Sequence, residues 1–256
     1  MEKYVVANYH THTTRCKHAH GTEREYIEAA IKAGIKELGF ADHVPCPFKD
    51  GFVSGIRMEM RDAADYVKEI RALQKEYKDQ IKIYVGFETE YMPWFFEEQI
   101  ALFDELGIDY MIMGQHFLDS EKMGPYTGTA TMDEAFLICY VDRVIEGMKT
   151  GRFLYLAHPD LINYQGDAAN YTREMTRLCK AMKEMNIPLE INLLGLLGNR
   201  HYPNEKFWEI AGKVGNDVIF GIDAHEIEQI GEMSCYKRGL KLAERYGLHV
   251  LEKLNL

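Results

Sequence analysis

The sequence predicts an α/β protein whose parallel strands close into a barrel, and three observations carry that expectation. Short apolar runs alternate with helix-period segments about seven times, the pattern of a parallel sheet flanked by helices. Nearly every apolar run ends in an imidazole or a carboxylate. Chemistry collects at the carboxyl ends of parallel strands, and a closed barrel brings those ends to one mouth where an open sheet spreads them apart.

The first run, Tyr4-Val5-Val6-Ala7-Asn8-Tyr9, leads into His10-Thr11-His12. Imidazoles at i and i+2 on extended chain share a face and can take one metal ion, which the same spacing on a helix does not allow. The run 38–41 leads into Asp42-His43, 81–87 into Glu88, 110–113 toward His116, and 153–157 into His158. The run 218–222 leads into Asp223-Ala224-His225, which repeats the same-face spacing. Between the runs, Thr22 with Glu25 three residues later marks a capped helix start, and Gly34 marks its end. Further helices are expected at about 58–78, 94–106, 131–150, 168–185, 204–214 and 233–246.

With 256 residues and no Pro/Gly/Ser-rich linker, the chain reads as one domain over residues 1–256. Its hydrophobic fraction of 46% and charged fraction of 27% are those of an ordinary globular protein. No apolar run is long enough to span a bilayer and the start is not signal-like, so a cytoplasmic protein with no membrane partner is expected. A net charge of −10 without a Lys/Arg cluster argues against nucleic acid. A phosphorylated substrate then needs bound metal and local arginines to offset the repulsion. The five cysteines are widely spaced and lack a CxxC pair, and read as reduced thiols. Cys16 and Cys46 lie near the histidines, but small apolar packing is the favoured reading for both.

The motifs His10-Thr11-His12, Cys16-Lys17-His18-Ala19, Ala41-Asp42-His43, Gly86-Phe87-Glu88, Gly114-Gln115-His116, Ala157-His158-Pro159-Asp160 and Gly221-Ile222-Asp223-Ala224-His225 resemble, in this order, those of the polymerase and histidinol phosphatase (PHP) family. The Cys-x-His-Ala segment, Gly114 to Leu118 and Leu189-Glu190-Ile191-Asn192 resemble its histidinol-phosphatase branch. The resemblance implies a distorted (β/α)7 TIM-like barrel with two or three divalent metal ions. By position, His10, His12, Glu88 and Asp223 would hold one ion, Glu88, His116 and His158 a second, and His18, His43 and His225 a third. Imidazole and carboxylate donors suit Zn, Mn or Fe, whereas Mg favours more oxygen.

The implied activity is that of a metal-dependent phosphatase acting on a small phosphorylated substrate, in this branch L-histidinol phosphate, with Glu88, Asp223 and His225 as catalytic residues. Paired metal ions activate water and hold a phosphoryl oxygen, so no covalent enzyme intermediate is required. Arg57 and Arg200 are the candidates for phosphate contact, because guanidinium matches phosphate in a bidentate way. Asp42 and Asp160, each beside a ligand histidine, are expected to orient imidazoles rather than to protonate the leaving group, and Glu90 to be a ligand, an ammonium contact or a solvated side chain. The aromatic run 91–96 is expected to pack the barrel and to cover a small substrate. His20, His201 and His249 show no paired ligand and read as surface or core histidines. Two rivals are a PHP-type phosphoesterase for another small phosphomonoester and a non-catalytic metal-binding module. A full ligand set, and a chain without a polymerase extension, speak against the module.

Overall fold

The computed structural model describes residues 4–48 and 50–256. Strands β1 (Ala7–Asn8), β2 (Glu37–His43), β3 (Lys82–Thr89) and β4 (Tyr110–Met113) pair in chain order and in parallel. Strands β5 (Leu189–Asn192), β6 (Asp217–Gly221) and β7 (His249–Val250) form a second parallel set. Two seams join the sets into a ring. At one, Leu156 bridges Met113 on one side and Leu189 on the other, so the segment 154–157 stands between β4 and β5. At the other, Thr11 bridges Ala224, His12 N donates to Ala224 O at 2.9 Å, and Asp223 N donates to His10 O at 2.9 Å. The result is the distorted parallel barrel that the sequence predicts, with β7 paired to the foot of β6.

The seam between β1 and β6 is distorted because a side chain takes the place of regular pairing. Asn8 Oδ1 accepts from Ile222 N at 2.8 Å, and its Nδ2 donates to Thr11 Oγ1 at 2.7 Å. Side-chain amides that copy backbone donors and acceptors let two strands meet without a continuous ladder.

Period-two alternation sorts each strand into an outer and an inner face. Val85 and Phe87 of β3, Leu38 and Phe40 of β2, and Val218 and Phe220 of β6 pack outward in the main core beneath the helices. Tyr84, Ala41, Tyr110, Ile112, Tyr155 and Ile219 fill the barrel itself. Glu88 continues the inward row of Tyr84 and Gly86 toward the carboxyl end, as His43 continues that of Ala41 and Asp223 that of Ile219. The barrel floor is therefore aromatic and aliphatic, and its upper layer is imidazole and carboxylate.

Helices α1 (Glu23–Ala33), α2 (Ala63–Glu76), α3 (Phe96–Leu106), α4 (Glu134–Met148), α5 (Ala168–Glu184), α6 (Leu193–Leu197), α7 (Glu205–Val214) and α8 (Met233–Tyr246) surround the strands. α1 opens on the Thr22–Glu25 capping box and closes on Gly34 in the left-handed conformation, as the sequence signals require. α2 starts later than its periodicity suggests, because Glu59 and Asp62 cap each other across a short 3-10 turn and defer the helix to Ala63. α6 is too short to show a helical period; it follows Asn192, whose side chain accepts from Gly195 N at 2.8 Å. No helix among the described residues is long and apolar enough to cross a membrane.

Replacing Asn8 with Ala leaves the buried Ile222 N–H without its acceptor. The expected cost is about 1–3 kcal/mol of stability, read as a lower urea midpoint with an unchanged slope; an unchanged midpoint would show that the seam does not depend on this amide.

Candidate metal centre

Glu88, 1% exposed at the end of β3, is where the histidines meet. Its Oε1 lies 2.7 Å from His158 Nε2 and 3.4 Å from His116 Nε2. Its Oε2 lies 3.0 Å from His43 Nδ1 and 3.5 Å from Nε2 of both His10 and His12. Asp223 Oδ1 faces the same pair, 3.1 Å from His12 Nε2 and 3.4 Å from His10 Nε2. Beyond them, His18 Nε2 and His225 Nε2 stand 3.0 Å apart, and the rings of His12 and His225 stack at 4.1 Å. Donor atoms of His18, His43 and His225 all fall within 4.8 Å of one another, and His43 joins a similar group with Glu88 and His116.

The backbone turns sharply to deliver two of these donors. His158 and Asp223 have positive φ, at 28° and 56°, and each directly follows a residue packed in a core, Ala157 and Ile222. At His158 the left-handed turn breaks the strand alternation, since Ala157 already faces the barrel, and swings the side chain over the mouth, a strained geometry of the kind found at functional sites. Gly114 is required for a different reason. A Cβ there would lie 2.0 Å from Glu88 Oε1.

Charge is shared unevenly in this cluster. Burial works to raise the Glu88 carboxyl, but His116, His10 and His43 hold it well below the usual carboxylate range. Asp223 is likewise held well below its range by His10 and His12, against its burial. Burial lowers His43, and His225 falls to about 3 under burial and the neighbouring His12, so both rings are neutral at pH 7. Burial also works to lower His12, yet Asp223 and Asp42 bring it up to about 9, and Glu190 with Asp223 raises His10 against the same penalty.

His10 Nε2, His12 Nε2 and Glu88 Oε2 are buried without a hydrogen-bond partner among the described residues. Buried polar atoms nearly always have partners. Unpartnered imidazole nitrogens aimed at carboxylate oxygens are what a bound cation satisfies, and the mixed imidazole and carboxylate set suits a divalent metal such as zinc.

Further side chains hold the donors from behind. Glu190 Oε2 lies 2.8 Å from His10 Nδ1, and Asn192 Nδ2 donates to Glu190 Oε1 at 2.8 Å and to Asp223 Oδ2 at 3.0 Å. Asp42, beside His12 Nδ1 at 3.7 Å, accepts from Thr13 N and from the Thr13 hydroxyl. Glu90 lies 3.4 Å from His116 Nδ1, buried rather than solvated. Glu190 and Asn192 were not marked by the sequence motifs as site residues, although they show the same i, i+2 spacing on a strand as His10 and His12.

Above the cluster opens a cavity of about 460 Å3 whose floor includes His18, His43, Glu88, His116, His158, Asp223 and His225. Phe117, Tyr126, Tyr202, Leu194 and Ile56 form its walls, with Arg200, Glu226 and Gln229 as its further polar lining. Arg200 Nη1 donates to the Tyr202 hydroxyl at 2.6 Å.

Arg57, expected at the phosphate, is placed elsewhere. Its guanidinium is 2% exposed, forks onto Glu90 at 2.9 and 3.0 Å, and donates through Nε to Glu121 at 2.9 Å, which leaves it committed to carboxylates behind the site. Asp160 also departs from expectation: its Oδ2 accepts from Asn204 N, fastening the segment before α7 rather than an imidazole, and burial pushes its carboxyl up to about 7. The aromatic run 91–96 packs the structure through Tyr91, Met92, Phe95 and Phe96 but does not line the cavity, whose aromatic wall is instead Phe117, Tyr126 and Tyr202. His20 pairs with Glu226 at the surface, His201 with Leu161 O, and His249 with Asp217. Cys46 packs with Met92 and Phe95. Cys16 has its sulfur within 4.8 Å of His12 and His225 nitrogens, but burial pushes its thiol up to about 12 and keeps it protonated.

The sequence profile of the PHP domain matches residues 8–193. A probable histidinol-phosphatase of Deinococcus radiodurans is 29% identical, with 87% of each chain covered. A histidinol-phosphatase of Bacillus subtilis is 27% identical, covering 87% of this chain and 94% of its own. Among solved structures, a histidinol phosphate phosphatase from Lactococcus lactis, crystallised with zinc, L-histidinol and phosphate, superposes with a TM-score of 0.74 over 98% of both chains at 20% identity.

Arg57→Ala should strip Glu90 and Glu121 of their counter-charge and cost about 3–5 kcal/mol in denaturant unfolding. A fully stable Arg57→Ala protein with a raised KM would instead return this arginine to the substrate. Metal loading should release protons at pH 7, because a protonated His12 must lose its proton to bind. With His12 at about 9 in the metal-free protein, its share of the release should fade above about pH 9. Calorimetry in buffers of different ionisation enthalpy reads this directly, and zinc binding without proton release at pH 7 would contradict it.

Proposed function

The chain belongs to the PHP domain family, and on that premise we propose that it is a metal-dependent phosphatase that hydrolyses L-histidinol phosphate to L-histidinol and inorganic phosphate. The observation that carries this reading is the convergence of unpartnered imidazole and carboxylate atoms at the floor of a cavity whose lining includes Arg200. Support for the substrate comes from the names of the relatives and from the histidinol and phosphate bound by the Lactococcus protein. As proposed, residues 1–256 form one phosphoesterase unit, a cytoplasmic enzyme of histidine biosynthesis.

In this reading His10, His12, Glu88 and Asp223 hold one divalent ion, Glu88, His116 and His158 a second, and His18, His43 and His225 a third. Zinc is the first choice of ion, on the donor set and on the zinc of the Lactococcus structure. Such ions, when bound, lower the pKa of a water and neutralise charge on the phosphoryl group.

The chain's own groups supply the rest. Glu88 shares its two oxygens between neighbouring ligand sets, and so fixes their separation. Asp223, ionised and with Oδ1 facing His10 and His12, would help hold the first ion and so place the attacking water at the cavity floor. His225 lines the cavity, where it would face the phosphate side of the ester. Arg200 binds the equatorial phosphate oxygens, steadied by the Tyr202 hydroxyl. Phe117, Tyr126 and Tyr202 give a flat substrate ring an aromatic wall, and Glu226 gives an ammonium group a carboxylate. No serine or cysteine nucleophile is needed.

Purified protein should release phosphate from L-histidinol phosphate, lose the activity to a chelator and regain it with zinc; zinc-loaded protein that is inert toward this ester would contradict the substrate, and one inert toward a panel of phosphomonoesters would contradict the reaction. Arg200→Ala should remove charge-assisted bonds of about 1.5–3 kcal/mol, a loss of about 10–100-fold in kcat/KM. Unchanged kinetics would free Arg200 of that role.

A further inference from the structure

We propose that Glu190 and Asn192 form a positioning bridge that selects which atoms of His10 and Asp223 face the metal centre, and thereby sets how tightly that centre holds its ion. The proposal rests on the metal-centre reading above and extends it to two residues outside the ligand set.

The bridge begins with hydrogen-bond logic. An ionised carboxylate only accepts, so the 2.8 Å contact between Glu190 Oε2 and His10 Nδ1 places the ring proton on Nδ1. In the neutral ring, the form that binds metal, Nε2 then carries the lone pair, and it is Nε2 that stands 3.5 Å from Glu88 Oε2 and 3.4 Å from Asp223 Oδ1. A carboxylate behind a ligand imidazole also makes that imidazole a better donor to metal.

Asn192 does the matching selection on Asp223. Its Oδ1 accepts from Gly195 N at 2.8 Å, which fixes the amide so that the NH2 group points the other way. That NH2 donates to Glu190 Oε1 at 2.8 Å and to Asp223 Oδ2 at 3.0 Å. Asp223 Oδ2 is thus occupied, and Oδ1 alone is turned toward His10 and His12. One amide group therefore separates two buried carboxylates that would otherwise repel each other.

The surroundings are shaped for this arrangement. Glu190, Asn192 and His10 are 0% exposed and Asp223 is 5% exposed, so water cannot take over either hydrogen bond. A Cβ on residue 221 of the neighbouring β6 would sit 2.1 Å from Glu190 Oε2, and Gly221 leaves that space to the carboxylate. β5 presents both residues on one face by its period of two, with their partners arriving from the ends of β1 and β6 across the distorted seam.

The test measures zinc binding, not turnover, by competition with a chromogenic chelator. Glu190→Gln should weaken zinc binding about 10–100-fold, and Asn192→Ser, which keeps Glu190 but drops the bridge, should weaken it in the same direction. In a His10→Gln background, Glu190→Gln should cause no further loss, because its effect passes through His10. Unchanged zinc affinity in both single variants, or a loss that adds in full to that of His10→Gln, would overturn the proposal. Failure of the unaltered protein to bind zinc would instead overturn the metal-centre reading on which it rests.

Discussion

One buried carboxylate constrains the rest of the structure. Glu88 places a charge in the barrel mouth with almost no access to water, and an unpaired charge there would cost several kcal/mol or more. The imidazoles of His10, His12, His43, His116 and His158 come to its two oxygens from separate segments of the ring, so the parallel register must bring each to the right height. Pairing between β2 and β3 does this for His43, which lies directly across from Glu88. Gly114, at the end of β4, removes the side chain that would push the carboxylate aside.

The irregular parts of the barrel lie where the donors lie. Regular ladders end early at the seam of β1 with β6 and are reduced to a single bridging residue between β4 and β5. Those two seams deliver His10, His12, Asp223, His225 and His158. A strand held by a continuous ladder alternates strictly in and out, so consecutive residues cannot both face the mouth. Release from the ladder lets His10 and His158 face the mouth directly after the inward Tyr9 and Ala157, His158 with a positive φ. The distortion of the barrel and the density of its donor set therefore have one origin.

The fold was legible because period and chemistry agreed. Apolar runs predicted the strands, Thr22 with Glu25 predicted the first helix, and the polar residue ending each run predicted the mouth. The donors that the structure brings within contact of Glu88 were all visible as histidines following an apolar run. What stayed hidden was set by pairing between distant residues. Arg57 looked like a phosphate ligand because a lone arginine in a loop shows nothing of Glu90 and Glu121, which claim it. The aromatic residues 91–96 looked like a cover, yet the cavity wall uses Phe117, Tyr126 and Tyr202, whose spacing in sequence carries no periodic signal. Glu190 and Asn192 repeat the spacing of His10 and His12, but a carboxylate and an amide at that spacing acquire meaning only when β1 and β6 arrive beside them.

The proposed role of Glu88 is to hold two neighbouring divalent ions at the barrel mouth. Anomalous diffraction from crystals grown with zinc locates such ions without reference to activity. The account predicts strong peaks at about 2.0–2.2 Å from the carboxylate oxygens, one on the side of His10, His12 and Asp223 and another on the side of His116 and His158. Zinc found only at surface carboxylates, with Glu88 bonded to imidazole alone, would contradict it.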